Sequence, residues 1–487
     1  MKKSLALLLG TLLLSASAFA RPDHPAEHQL VTVRVTYQAW NEYRPWQKAK
    51  PGVRTFLGIV ISNHRILVLA YKLDDATLIQ VEKFDRPPRV PARIVHCDPQ
   101  VGLAILTVDE PAFFDDLTPV EIAPNADGKN YYCAAWKSGQ LAVASCRWSR
   151  AVVFNSAVPH FGYAGIYFIT DLKNGGRGEP VYNGSQLIGI ARSQRDNRIT
   201  VVPAELIQAY LHATELPEYP GFGRLGINYQ YNKGKAQAAY YGQKGQPTGI
   251  HINSCLRDSS AEDHLLPSDL LLELDGHTID ALGDYIHPRY GPMDVRLIPT
   301  EGHYAGDTLL AKVLRNKQEI TIEIPLKNMP PSISLIPEVR PNQPPPYLVA
   351  GGFIFRELDV PYLQAWGDKW EENIPSYLRC LYKMDNESLL PGKHRLIILA
   401  DVFPDEYNLG YHDMAQNIVK AVNGRPVDSI QKMEEAFQHP QNGFHVIEFM
   451  QSFDTSKVIL DAKTFNSSTA AIMKKYQIPS RIRVRNK

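Results

Sequence analysis

From Leu30 to Val202 apolar and polar residues alternate in short runs: "VTVRVTYQ", "LGIVIS", "RILVLA", "TLIQVEKF", "VPARIVHC", "GLAILTV", "YYCAAW", "AVASCRW", "IYFITD", "QLIGIAR" and "RITVVP". Alternation puts every second side chain on one face of a strand, and the Gly, Pro, Asn and Asp residues between the runs supply turns. The number and spacing of the runs predict an all-β region of antiparallel barrels. "PAELIQAYLHA" then switches to helical spacing of its apolar residues and closes the region.

After "ELPEYPGFG" a second pattern begins. "RLGINYQ" and "GIHINS" read as strands, "SAEDHLL" as a helical turn, and "SDLLLELDGHTI" as a strand entering a glycine turn. "TLLAKVLRNKQEITIEIPL" reads as a hairpin turned at Asn316. Eight prolines between Pro325 and Pro346 then predict an extended, semi-rigid connector. A third pattern, from about Val349 to Thr464, repeats the late signature of the second: "QNIVKAVNGRPVDSIQKMEEAF" parallels "SDLLLELDGHTID". That likeness predicts a duplicated module.

Composition narrows the functional classes. At 487 residues the chain is long enough for about three domains, each with its own core. Lys plus Arg number 52 against 51 Asp plus Glu, so no overall field attracts nucleic acid or an anionic membrane. The basic end "SRIRVRNK" reads as a solvated tail. "MKKSLALLLGTLLLSASAFA" has a positive start, an apolar stretch from Leu5 to Leu14 and a small-x-small ending at Ala18-Phe19-Ala20. This is the form of a cleavable export signal. It predicts a periplasmic protein, or a secreted one, with no integral membrane segment.

In an exported chain the five cysteines raise the question of disulfides. If Gly139 and Gln140 turn the hairpin "YYCAAWKSGQLAVASCRW", Cys133 and Cys146 face each other across it and a bridge is expected; two small apolar residues in a barrel wall are the alternative. Cys97, Cys255 and Cys380 are scattered, and no Cys/His spacing implies a metal or any other cofactor.

The paired glycine-turn strands, with "GRLGI" ahead of the first, resemble PDZ domains. A β barrel followed by two such modules resembles the Deg/HtrA serine proteases over nearly the whole mature chain, and the plant-type branch in detail. That likeness rests on "RPWQ" before the barrel, the insertion "HPRYGPMDVRLIP", and "LVAGGFIFRELDVPYLQAWG" opening the last unit. The resemblance implies a mainly β fold, a chymotrypsin-like double β-barrel followed by two PDZ-like α+β domains. It also implies boundaries: signal peptide 1–20, trypsin-like domain 21–215, first PDZ domain 221–327, proline-rich linker 328–348, divergent second PDZ domain 349–464 and a tail 465–487.

Laying the family's catalytic strings over this chain gives an unexpected result. Tyr71, in "GIVISNHRILVLAY", stands where the general base belongs. Gly102, in "DPQVGLAIL", stands at the orienting acid, and Arg177, in "GGRGEP", at the nucleophile. The spacings, 31 residues and then 75, keep the family's order. Acyl transfer needs a hydroxyl or thiol deprotonated by a base that a carboxylate orients. A guanidinium cannot attack a carbonyl, a phenol with a pKa of about 10 is a poor base, and glycine has no carboxylate. Glu179, where the family has glycine, would repel a developing oxyanion. His64, Asp98 and Ser185 lie near the family positions but read as ordinary loop residues; Arg177 reads as a structural or exposed loop arginine, with a salt bridge to Glu179 or Asp171 part of that reading and ligand binding the alternative.

In "GRLGI" the resemblance implies a loop of backbone N–H groups at Leu225, Gly226 and Ile227 that receives a peptide's C-terminal carboxylate. A plain strand start is the alternative. In the last unit "GGFIF" occupies that place, with "PYLQAWGDKW" expected to cover the groove and serve packing. The function expected is a pseudoprotease that binds exported or unfolded segments and C-terminal peptides and forms a homo-oligomer; an active endopeptidase is the alternative.

Overall fold

The computed structural model describes residues 24–123, 130–155, 162–329, 334–338, 340, 342–383, 394–450 and 456–485. The expected export signal lies outside the described residues. The chain is mainly β, as the alternation predicted.

Two seven-stranded sheets make up the first region. The first runs, in spatial order, Val90–Pro91, Ala76–Lys83, Leu30–Tyr37, Gly52–Ile61, Arg65–Leu69, Leu103–Thr107, Arg93–Asp98. In Leu30–Tyr37 the period of two sends Val31, Val33 and Val35 into that sheet's own core. The second sheet links Pro180–Asn183, Tyr131–Lys137, Gln140–Asn155, Gly162–Thr170, Arg198–Pro203 and Gln186–Arg195; the last of these pairs back onto the first to close a ring and also takes the short strand Glu121–Ile122. Between the sheets lie Leu30, Ile59, Leu103, Tyr182 and Leu187. Helix Ala204–Glu215 seals this seam with Leu206, Ile207, Tyr210 and Ala213.

The second unit is an antiparallel sheet ordered Ile227–Tyr231, Ile250–Cys255, Leu270–Leu274, Thr308–Arg315, Gln318–Pro325. It packs directly on the barrels. Ala164 of the second barrel belongs to its core, Thr300 Oγ1 donates to Gly162 O at 2.7 Å, and Trp148 stacks on Tyr290.

In the last unit the order is Lys457–Asp461, Phe444–Phe449, Ile418–Val422, Ile397–Val402, Phe353–Glu357, Tyr347–Ala350, Ile482–Arg483. Its final strand corrects the expected tail. Helix Phe465–Lys475 buries Phe465, Thr469 and Ile472, and Ile482 pairs with Leu348. The basic end is pinned by Arg481–Glu434 and Arg485–Glu357 ion pairs, each 2.8 Å, so its charges are matched and not merely solvated. The proline-rich stretch likewise ends earlier than expected, because Tyr347 and Leu348 are buried strand residues.

Two local expectations fail for stated reasons. The hairpin turns at Ser138 and Gly139, both at positive φ as a tight two-residue hairpin requires, and Lys137 pairs with Gln140. Cys133 is therefore opposite Ala144 and Cys146 opposite Tyr131, so the two cysteines are diagonal neighbours; their thiols still meet in a side-chain hydrogen bond, and all five cysteines are free thiols. Trp366 and Trp370 do not share a helix: Val360–Gln364 ends before Gly367, at φ 94°, and Trp370–Asn373 starts a separate turn.

Candidate functional site

Tyr71 and the loop carrying Arg177 meet between the two barrels. Tyr71 follows strand Arg65–Leu69 in a short 3-10 turn, and its hydroxyl donates to Arg192 O at 2.8 Å, with Gly176 O at 3.5 Å. Burial raises its pKa to about 12, Arg192 opposing and Glu179 adding to the shift. The phenol is thus a fixed donor near neutrality, and no base. Gly102 sits one step away, its carbonyl accepting from Ala70 N–H at 2.9 Å. At φ 76° it holds a left-handed turn that an aspartate would strain.

The Arg177 loop is braced on the first barrel. Leu57 N–H donates to Arg177 O at 2.8 Å, and Arg177 Nη2 donates to Thr55 O at 3.1 Å. Its guanidinium therefore holds a strand carbonyl, and not Glu179 or Asp171 as expected. Glu179 has another role. Buried to 2% exposure, its Oε2 accepts the backbone N–H groups of Gly176 at 2.8 Å and Arg177 at 2.7 Å. Burial raises the Glu179 pKa, and these N–H donors, Arg177's first, pull against the rise. Gly175 N–H is also taken, by Gln194 Oε1. An acyl-transfer site needs such N–H groups open toward a developing oxyanion. Here all three already donate to side chains, which no motif comparison would reveal.

His64, Asp98 and Ser185 do not converge. His64 lies in a turn, stacked on Phe114 at 5.0 Å. Asp98 is buried and accepts from Gln100 N–H at 2.6 Å and from the Tyr219 hydroxyl. Ser185 lies exposed in the turn between strands Pro180–Asn183 and Gln186–Arg195. Among the described residues no hydrogen bond joins any two of them, and no cluster of His, Cys, Asp or Glu is placed to hold a metal.

Leu225, Gly226 and Ile227 enter the second unit's edge strand. The carbonyls of Leu225 and Gly226 accept from Ala261 and Leu256 N–H at 2.9 and 2.8 Å. In a trans peptide C=O and N–H point oppositely, so the amides of Gly226 and Ile227 face away from the 256–261 segment. Gly226 lies at φ 73°, where a Cβ would collide with Ser259. The crevice beside it, lined by Val295, Arg296 and Thr300, is narrow, about 10 Å³. Strand Ile227–Tyr231 pairs on one side only, leaving an edge to which no described strand adds.

The last unit differs. Strand Phe353–Glu357 is paired on both sides, by Ile397–Val402 and by Tyr347–Ala350. Gly351 N–H donates to Thr469 Oγ1 at 2.9 Å, and Gly351 O accepts from Asn408. The edge is closed, and by a strand rather than by the aromatic segment expected to cover it.

These features can be set beside known proteins. A PDZ domain model matches residues 336–482. Protease Do-like 4, mitochondrial, of Arabidopsis thaliana is 25% identical over 469 residues, covering 93% of this chain and 85% of that protein. Protease Do-like 2, chloroplastic, of the same plant is 22% identical over 463 residues, covering 93% and 74%. Among solved structures, the HtrA-type protease AlgW with decapeptide matches at 17% identity and a TM-score of 0.46, covering 63% of this chain and 97% of that one. Over most of its length, and in the order of its parts, the chain is similar to proteases of the Deg/HtrA type, with a trypsin-like region followed by a PDZ domain.

Proposed function

We propose that this protein is a pseudoprotease that works by holding extended or C-terminal segments of other proteins. One observation carries the reading: the carboxylate of Glu179 accepts the Gly176 and Arg177 N–H groups, in the loop where turnover would need a nucleophile and open donors. Tyr71, Gly102 and Arg177 offer no nucleophile, base or orienting acid in that place. Capture is assigned to Leu225, Gly226 and Ile227. Two outward amides and the open edge of Ile227–Tyr231 suit a chain end that adds as a further strand. The Val295–Thr300 turn, held to the barrel by Thr300, must yield for the carboxylate to enter.

The leader-like composition of residues 1–20 supports a periplasmic setting, where exported and unfolded segments are the partners. The names of the two plant relatives give mitochondrial and chloroplastic locations for those proteins instead. Among the described residues no helix is long and apolar enough to cross a membrane. A homo-oligomer belongs to the same reading, by family resemblance.

Because the relatives are named proteases, activity is the first test. Purified protein should neither cleave casein nor take a fluorophosphonate label. Labelling that Ser185→Ala abolishes would replace this reading with an active endopeptidase. Gly226→Trp should abolish binding of a C-terminal peptide library, and unchanged binding would remove the loop from the site.

A further inference from the structure

On the other side of Tyr71 lies a cleft of about 380 Å³, lined by Tyr71, Phe154, Arg192, Ser193 and Thr200. Its chemistry is set by one backbone irregularity. Ala191 pairs with Val201 and Ser193 with Thr200, so Arg192 is the extra residue of a β-bulge and is re-aimed from the ladder. Its guanidinium is half-buried and sits over the Tyr163 ring at 5.5 Å. Among the described residues it has no hydrogen-bond or ion-pair partner. Burial lowers its pKa, with Tyr71 alone opposing. A guanidinium removed from water without a partner is costly, and a carboxylate received by its planar fork returns that cost.

Further cations flank the residues that line the cleft. On the near side are Lys72, over the Tyr71 ring at 4.8 Å, and Arg54, whose Nη1 donates to Tyr71 O at 3.2 Å. On the far side Thr200 pairs with Tyr167, and Arg198 and Arg150 stand over that ring at 4.4 and 5.5 Å. None of these five cations forms an ion pair among the described residues. Three carboxylates sense them: Asp74 and Asp75, near Arg54, and Glu179, near Lys72, which already accepts two backbone N–H groups.

We propose that this cleft is a second binding site, one that takes an extended acidic polypeptide segment and seats an Asp or Glu carboxylate on Arg192. Cations on both sides of Arg192, two at Tyr71 and two at Tyr167, fit several acidic side chains of one segment better than a single small anion. The near-neutral chain as a whole, 52 basic against 51 acidic residues, does not suit a polynucleotide. This deepens the non-catalytic reading, since it rests on the cleft holding its occupant without cutting it.

Fluorescence anisotropy with a C-terminally amidated peptide of alternating Glu and Ser, and with its Gln counterpart, tests the assignment. Amidation keeps the Leu225–Ile227 loop out of the measurement. The Glu peptide should bind at least about tenfold more tightly, the scale of a charge-assisted hydrogen-bond pair. Arg192→Gln should bring the ratio near one, Arg192→Lys should retain part of it, and Gly226→Trp should leave it intact. Equal binding of the two peptides to the unaltered protein overturns the proposal without any variant having to fold. So does a ratio unmoved by Arg192→Gln or lost with Gly226→Trp, displacement by glutarate at matched carboxylate concentration, or tighter binding of a single-stranded oligonucleotide. Mass spectrometry of the recovered peptide separates the two readings: a cut peptide overturns the non-catalytic reading, while the acid preference is judged on the ratio alone.

Discussion

Glu179 shows how one side chain redirects a loop. Its position, two residues after Arg177, was legible from the motif, and so was its sign of charge. What it binds was not, because that depends on the loop's path: Gly176 and Arg177 turn their N–H groups inward onto Oε2. The arrangement has a consequence for stability. Burial raises the Glu179 pKa in the folded protein, so the native state holds this proton more tightly than the unfolded chain. Stability from this group is present below the ordinary glutamate range, and it declines as pH rises from there through the raised folded value. Thermal unfolding between pH 4 and 8 should therefore show a steeper loss with rising pH in the unaltered protein than in Glu179→Gln. Parallel curves would mean that the carboxylate is not held as described. The cysteine pair teaches the converse. Shifting the two-residue turn from Gly139-Gln140 to Ser138-Gly139 moves every cross-strand partner by two positions, and only the φ values at Ser138 and Gly139 decide between them.

Elements were legible where period and punctuation agreed. Strand alternation from Leu30 onward, the helix Ala204–Glu215 and the hairpin turned at Asn316 follow from side-chain spacing and turn residues alone. The C-terminal helix was missed although its signal is present. Phe465, Thr469 and Ile472 recur at helical spacing, but the basic residues after them suggested solvent. Those charges carry little information about burial, since Arg481 and Arg485 find carboxylates on neighbouring elements. The helix is a structural part of the last unit. Ile472→Ala should cost about 2–5 kcal/mol in urea unfolding, as expected for a fully buried aliphatic side chain. A chain ending at Thr464 should lose the cooperative transition of that unit altogether. If either change were silent in denaturation, residues 465–485 would be a tail after all. Edge pairing was the least legible feature, because whether a strand ends a sheet depends on chain segments far away. Ile227–Tyr231 stays open, while Phe353–Glu357 is closed by Tyr347–Ala350, itself held by Ile482–Arg483.

At the scale of the molecule, the first barrel and the last unit are joined through the "NEYRPWQK" segment, which the sequence marked only as a family likeness. Trp46 is buried against Tyr347 and Phe403, and Arg483 Nη1 donates to Pro45 O at 2.9 Å. Glu42 bridges two arginines of the far unit, Arg356 at 2.6 Å and Arg340 at 2.6 Å, and Asp359 closes the square by pairing with both. Arg356 is fully buried. Burial alone would lower its pKa, but Asp359 and Glu42 outweigh this and raise it. Removing one member of such a network leaves a charge in a poorly solvated place, which costs about 3–5 kcal/mol, whereas replacing an ion pair by apolar residues is often close to neutral. Glu42→Ala should therefore move the last unit's urea transition to lower concentration and separate it from that of the barrels. Glu42→Met combined with Arg356→Met should restore much of the loss. Superimposable curves for Glu42→Ala and the unaltered protein would show that the square does not couple the two units, and that Trp46 packing and the Arg483–Pro45 hydrogen bond join them without it.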